Sequence, residues 1–192
     1  MPDPNPAALD FLLTRRSRPA KTLGLPVPDR AALEPILQAG LRSPDHGKLE
    51  PWRLLVLEGA ALMRLAQLVP DRGLALQKTP EEIAKQVKQY ADAMLAVAVI
   101  ACPAPSPKVP EREQALSAGA VCLQLLNAAL AAGWGANWLS GWASHDPVFA
   151  RDGLGLADGE WIAGFIHMGT ETSAPPERPR PDMDAKVSWI SA

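Results

Sequence analysis

Three short stretches carry the residues able to do chemistry. Arg15-Arg16-Ser17-Arg18 sets three guanidinium groups and a hydroxyl close together. Arginine presents a planar fork of donors that matches a phosphate, and serine adds one more, so the cluster suits a phosphate monoester. It equally suits the solvated C-terminal end of a helix, where cations face the macrodipole. Arg42 to Trp52 (RSPDHGKLEPW) crowds a guanidinium, an imidazole and an ammonium into one loop. Loops held by rigid elements are where binding groups collect. An ordinary polar turn, with Asp45 and His46 as local hydrogen-bond partners, fits as well. Gly133 to Trp142 (GWGANWLSGW) mixes glycine with tryptophan. Glycine backbone can approach the edge of a flat ring, and tryptophan can flank or stack on one. Core tryptophans that need glycine neighbours for room are the other reading.

Other chemistry is disfavoured. His145 and His167 are lone histidines, read as a local cap and a strand residue. No metal site is expected, and no serine or cysteine nucleophile has a spaced histidine and acid, so no catalytic side chain is assigned. Cys102 and Cys122 sit in apolar runs without CxxC spacing, as buried free thiols would. Neither GxGxxG after a strand nor GxxxxGK[ST] occurs. A formal net charge of -2 removes any case for broad attraction to nucleic acid or anionic membrane. The opening MPDPNPAALD has no basic region followed by an apolar stretch, and the longest apolar run, Met94 to Cys102, is far short of a membrane span. The protein is therefore expected in the cytoplasm. Its 192 residues suit one domain, 1–192, rather than two.

The elements that must position these stretches are read from periodicity and punctuation. A helix starts at Asn5-Pro6, carries an apolar stripe of Leu9, Leu12 and Leu13, and ends in the basic cluster, with Pro19 as a stop. A proline-spaced loop leads to Asp29, the N-cap of a second helix marked by Leu33, Ile36, Leu37 and Leu41. Pro35 should kink that helix or push its start later. Trp52 to Leu57 and Leu95 to Ala101 read as buried strands. Between them lie a helix over Ala60 to Leu68 and a capping box, Thr79-Pro80-Glu81-Glu82, opening another to about Ala93. Pro103 to Pro110 must be extended. Glu111 to Ala132 is the longest helix, closed by Gly133, and its Ser117 to Ala120 permit close approach of another helix. Trp134 to Trp142 has few helical signals. Asp146 and Pro147 start a short helix. Trp161 to Met168 is a third strand, stopped by Gly169, and the proline-rich remainder forms no core element. No internal repeat is found. Strands separated by helices imply a layered α/β or α+β fold.

Taken together, in this order and spacing, Arg15-Arg16-Ser17, Pro44 to Trp52, Gly133 to Gly141 and Met168-Gly169-Thr170 resemble the nitroreductase family. The resemblance covers most of the chain. Asp45, His46 and Lys48 stand where serine, a small residue and asparagine are usual, and Glu50 replaces glutamine. That Pro-Asp-His loop, with Lys108-Val109-Pro110 before the long helix, is similar to a compact branch of NAD(P)H nitroreductases.

The resemblance implies an α+β fold, a mixed sheet flanked by helices, in an intertwined homodimer with two FMN at its interface. It implies that Arg15, Arg16 and Ser17 hold the phosphate and ribityl chain. Arg42 and His46 would reach the flavin across the dimer, and Asn137, Trp138 and Leu139 would line it. Arg178 and Arg180 would match a basic pair that closes over the phosphate. By the same resemblance the enzyme is an FMN-dependent NAD(P)H oxidoreductase. NADH or NADPH would deliver hydride to the flavin, and a small-molecule electron acceptor, such as a nitro compound or quinone, would take the electrons in a ping-pong scheme. Arg42 or Lys48 would stabilise charge on the reduced ring. Two other readings stay open: a flavin carrier or flavin-modifying protein without nicotinamide-driven activity, and an interaction domain without flavin.

Overall fold

A computed structural model describes residues 3–191. Met1, Pro2 and Ala192, the ends of the expected 1–192 domain and the start of the segment read as no leader, lie outside the described residues. Local signals set most helix starts. Asn5 Oδ1 accepts from Ala8 N at 3.1 Å and opens α1 (Pro6–Thr14). The two-residue strand β1 (Leu23–Gly24) follows. Asp29 Oδ1 accepts from Ala32 N at 2.8 Å and opens α2 (Arg30–Gly40). Pro35 does not delay that start. The bond it removes, to the Ala31 carbonyl, lies on the exposed side of the helix, where water can serve instead.

β2 (Trp52–Glu58) leads into α3 (Gly59–Ala75), longer than expected and continuing past Pro70. The capping box forms as expected: Thr79 Oγ1 accepts from Glu82 N and Glu82 Oε2 from Thr79 N, opening α4 (Pro80–Ala91). Next come β3 (Leu95–Ala101), α5 (Glu111–Ala131) and β4 (Gly135–Leu139). Asp146 caps α6 (Pro147–Leu154) through Val148 N, so the cap is Asp146 and not His145. β5 (Trp161–Glu171) and the short α7 (Met183–Lys186) complete the described elements.

Five strands replace the expected three. β4 falls in the glycine and tryptophan segment. β5 does not stop at Gly169 but runs on, so that Thr170 and Glu171 pair with Gly24 and Leu23. The spatial order is β2-β3-β5-β4, with β1 against the end of β5. The chain is α+β as expected, but within it every pairing described is antiparallel rather than mixed. The connections explain this. The hairpin of α3 and α4 returns the chain so that β3 runs opposite to β2. The single helix α5 carries it back so that β4 is parallel to β3. β5 then fills the gap between those two, opposite in direction to both.

β3 is buried throughout and splits by alternation. Ala96, Ala98 and Ile100 pack with Leu62, Leu65, Tyr90, Phe149 and Phe165 on the side of α3, α4 and α6. Leu95, Val97 and Val99 pack with Leu33, Ile36, Val121, Leu125 and Ile166 on the side of α2 and α5. The sheet is thus a middle layer between two helical ones. Across its β2 edge Arg53 donates twice to Glu160, at 2.8 and 2.7 Å, and the Cys102 thiol donates to the same carboxylate at 3.1 Å. The Arg53 guanidinium holds Glu160 down to about 2, while burial pushes Cys102 up to about 11.

Candidate functional site

The basic cluster begins at the end of α1 as expected, with Arg15 as C-cap donating its N–H to Phe11 O at 2.7 Å, but the residues after it leave the helix. α1 stops at Thr14, Arg15 is extended, and the following residues run beside β4. Arg18 N donates to Ala136 O at 2.8 Å, and Asn137 Nδ2 returns a bond to Arg18 O at 2.6 Å. Arg18 also pairs with Glu171 at 3.2 Å. The strap then crosses two glycines. A Cβ on Gly135 would lie 2.6 Å from Leu23 Cδ2, and one on Gly169 would lie 2.8 Å from Gly24 O. Close approach of backbone to backbone here requires glycine.

The strap brings Arg15 and Ser17 to a cleft of about 500 Å3, with Leu123, Trp138, Ser140 and Trp161 on its walls. Arg15 Nη2 donates to Ser17 Oγ at 3.0 Å. The Nε groups of Arg15 and Arg16 are buried and have no partner among the described residues. Buried N–H groups, above all charged ones, are normally satisfied, so these two call for an acceptor. Burial, then Arg180, then Arg18 lower the Arg15 pKa. Arg180, in the C-terminal tail, donates to Glu177 at 2.8 Å. Arg178 gives its backbone N–H to Glu177 at 2.9 Å. The site is a convergence of guanidinium groups with unsatisfied donors, and its chemistry fits a phosphate.

Successive β4 residues divide between the two faces. Trp138 is 38% exposed, and its indole covers Gly164, where a side chain would overlap it. Leu139 is half-buried and faces a second cavity rather than this cleft. Asn137 is occupied with the strap carbonyl. His145 also lines the cleft. Trp161 and Leu123 had no sequence signal. One opens a strand and one sits on a helix, and only the fold places them together.

Arg42 and His46 do not line this cleft. Both are exposed, and His46 Nδ1 lies 2.7 Å from Glu113 Oε2 at the start of α5. Their loop is nonetheless well held. Ser117 Oγ donates to Pro44 O at 2.6 Å and accepts from Trp52 Nε1 at 3.0 Å. Asp45 Oδ2 accepts from Glu50 N at 2.7 Å, and Gly47, Lys48 and Glu50 have φ of 77°, 54° and 47°. Ser117 and Ala118, expected to admit another helix, are buried by their own chain. Leu116 and Leu123 are exposed apolar positions of α5, and Gly119 has open space beside it.

The family model described as "Nitroreductase family" matches residues 14–170. An Escherichia coli K12 protein named "Putative NAD(P)H nitroreductase YdjA" is 35% identical over 163 residues, covering 85% of this chain and 87% of that one. Among solved structures, a nitroreductase-like family protein from Bacillus cereus superposes with a TM-score of 0.80 at 24% identity, covering 100% of both chains. The FMN and NADPH-dependent nitroreductase NfnB of Sphigopyxis sp. strain HMH gives 0.74 at 18% identity, covering 96% of this chain and 99% of that one. The motif order along the strap, the loop and β4 and the match of model and relatives over most of the chain agree: this chain belongs to the nitroreductase family.

Proposed function

We propose that the protein is a cytoplasmic, homodimeric, FMN-dependent oxidoreductase that passes hydride from NADH or NADPH to a small acceptor such as a nitro compound or quinone. One observation carries the reading: the Nε groups of Arg15, which faces the cleft near Arg18 and Arg180, and of Arg16, near Glu177, are buried without a hydrogen-bond partner among the described residues. The phosphate of FMN supplies one. Names agree with this, since the relative is named "Putative NAD(P)H nitroreductase YdjA" and NfnB is called FMN and NADPH-dependent.

Bound FMN would supply the chemistry of accepting and donating hydride. The chain's own groups bind and orient. Arg15 and Arg16 donate to the phosphate and Ser17 adds a hydroxyl donor. Trp138 forms one wall of the cleft. Arg42 and His46 stand exposed outside the cleft of their own chain, where they can complete that of a second copy. Exposed apolar side chains on α1 (Leu9 59%, Leu12 57%, Leu13 71%) and α5 (Leu116 68%, Leu123 46%) offer the surface on which such a copy would dock. The free thiols of Cys102 and Cys122 suit a reducing compartment.

Flavin titration tests the reading. Arg15→Ala or Arg16→Ala should weaken FMN by about 1.5–3 kcal/mol at the better-placed arginine. Riboflavin, which lacks the phosphate, should bind mutant and wild type alike. FMN affinity that survives loss of both arginines would reduce the cluster to a solvated basic patch.

A further inference from the structure

The α4 side of the sheet carries a cavity that the flavin reading leaves unused. Its volume is about 550 Å3, within the roughly 300–1,000 Å3 common for small-molecule sites. Strand alternation sets it apart from the cleft. Ile166 and Met168 of β5 pack on the side of α2 and α5. His167 between them therefore points to the other side, where Phe165 meets the ring of Tyr90 from α4. In β4, Trp138 lines the cleft and Leu139 lines the cavity. The two spaces share one lining residue, Ser140, just past the end of β4.

Two observations point to a ligand in it. The first is unsatisfied polarity. His167 is only 3% exposed, and its Nε2 and the Nε2 of Gln89 are buried without a partner among the described residues. An unsatisfied buried polar atom costs about 1–3 kcal/mol, so two against one cavity call for a hydrogen-bonding group inside it. The second is charge. Lys85, Lys88 and Gln89 stand on one face of α4, three and four residues apart, and the strap brings Lys21 to the same space. None of these three lysines has an ion-pair partner among the described residues. Against their ammonium groups the lining sets one carboxylate, Asp92 at the C-cap of α4. A recess lined by an excess of one sign concentrates ions of the other.

We propose that this cavity is a second binding site, separate from that of FMN, for a small organic anion whose carboxylate or phosphate lies among Lys21, Lys85 and Lys88 and whose body is hydrogen-bonded by Gln89 and His167. Burial lowers the His167 pKa to about 4, so the imidazole is neutral at pH 7 and offers one donor and one acceptor. The Gln89 amide donates beside it. The site thus asks for hydroxyl or carbonyl groups next to the anionic one, as in a hydroxy acid or a sugar phosphate. The sheet stands between the two spaces, so the occupant is no substrate of the cleft.

The three histidines of the chain let the test read position: His167 reports the cavity, His145 the cleft and His46 the exposed loop. The full chain is titrated with citrate and with ribose 5-phosphate, each with and without saturating FMN, and the imidazole resonances are followed by NMR. The His167 ring should shift to saturation with at least one of the two, whether or not FMN is present, and Arg15→Ala should leave that saturation intact. With FMN present, His145 and His46 should keep their positions. Saturation by citrate assigns the site to carboxylates and saturation by ribose 5-phosphate to phosphate monoesters, and either supports it. The double variant Lys85→Gln with Lys88→Gln, at exposed positions of α4, should weaken binding by about tenfold or more and leave FMN affinity at the wild-type value. Shifts that never saturate with either probe, saturation lost with Arg15→Ala, or lysine variants that bind as tightly as wild type would each overturn the site. A chain that binds no FMN but still saturates at His167 would overturn the flavin reading and leave this site standing.

Discussion

Arg53 and Glu160 show how single residues set the response of this protein to acid. The carboxylate is held at about 2 against its ordinary 4.5 by the two-pronged guanidinium. Its contribution is complete above the ordinary value and is lost as pH falls from 4.5 towards 2. Arg53→Met should cost about 1–3 kcal/mol at neutral pH, and its urea midpoint should fall less steeply over that window. His167 acts in a higher window. Folding lowers its pKa from 6.5 to about 4, so the unfolded chain takes up a proton that the folded chain refuses. Stability therefore drops as pH falls from 6.5 to 4, and His167→Phe should flatten that limb in flavin-free protein. Urea melts at a series of pH values check both, and parallel curves for wild type and variant would remove these groups from the acid response. Arg15 and Arg16 were legible as candidates for an anion, but their types and spacing fitted a solvated helix end as well, and the family resemblance separated the two readings. The place of His167 in a strand was legible too. Its cavity was not, because α4 and Lys21 that wall it lie far away along the chain.

At the scale of elements, the legible ones carry their own punctuation: Asn5, Asp29, Thr79 with Glu82, and Asp146 each cap the helix that follows them. β1 and β4 were not legible. β1 is two residues long and exists only because Glu171 and Thr170 reach it. β4 needs glycines at crossings that no local pattern reveals. α1 has no buried residue, so its leucine stripe contributes nothing to its own chain. If that stripe and Leu116 dock a second copy, Leu12→Glu or Leu116→Glu should yield monomers by sedimentation velocity. Folding should be unchanged and FMN should bind more weakly, because Arg42 and His46 would no longer be supplied across the interface. A variant that stays dimeric would move the interface elsewhere on the surface.

At the scale of the molecule, the strap, β4 and the end of β5 act as one frame. Arg18 is tied to Ala136, Asn137 and Glu171, so the strap and both strands share a rigid edge. That frame depends on β5, which is last of the strands in sequence and lies between β3 and β4 in space. During synthesis, β3 and β4 leave the ribosome with no neighbour to join them. Both present unpaired backbone on the edges that β5 will later fill. The sheet can close only when Trp161 to Glu171 has emerged, so little of the final packing can be gained on the way. A chain ended before Trp161 should show no cooperative thermal transition by circular dichroism and should aggregate, whereas one ended after Lys186 should still melt as a unit. Nascent chains of this protein would then lean on chaperones until β5 has been made.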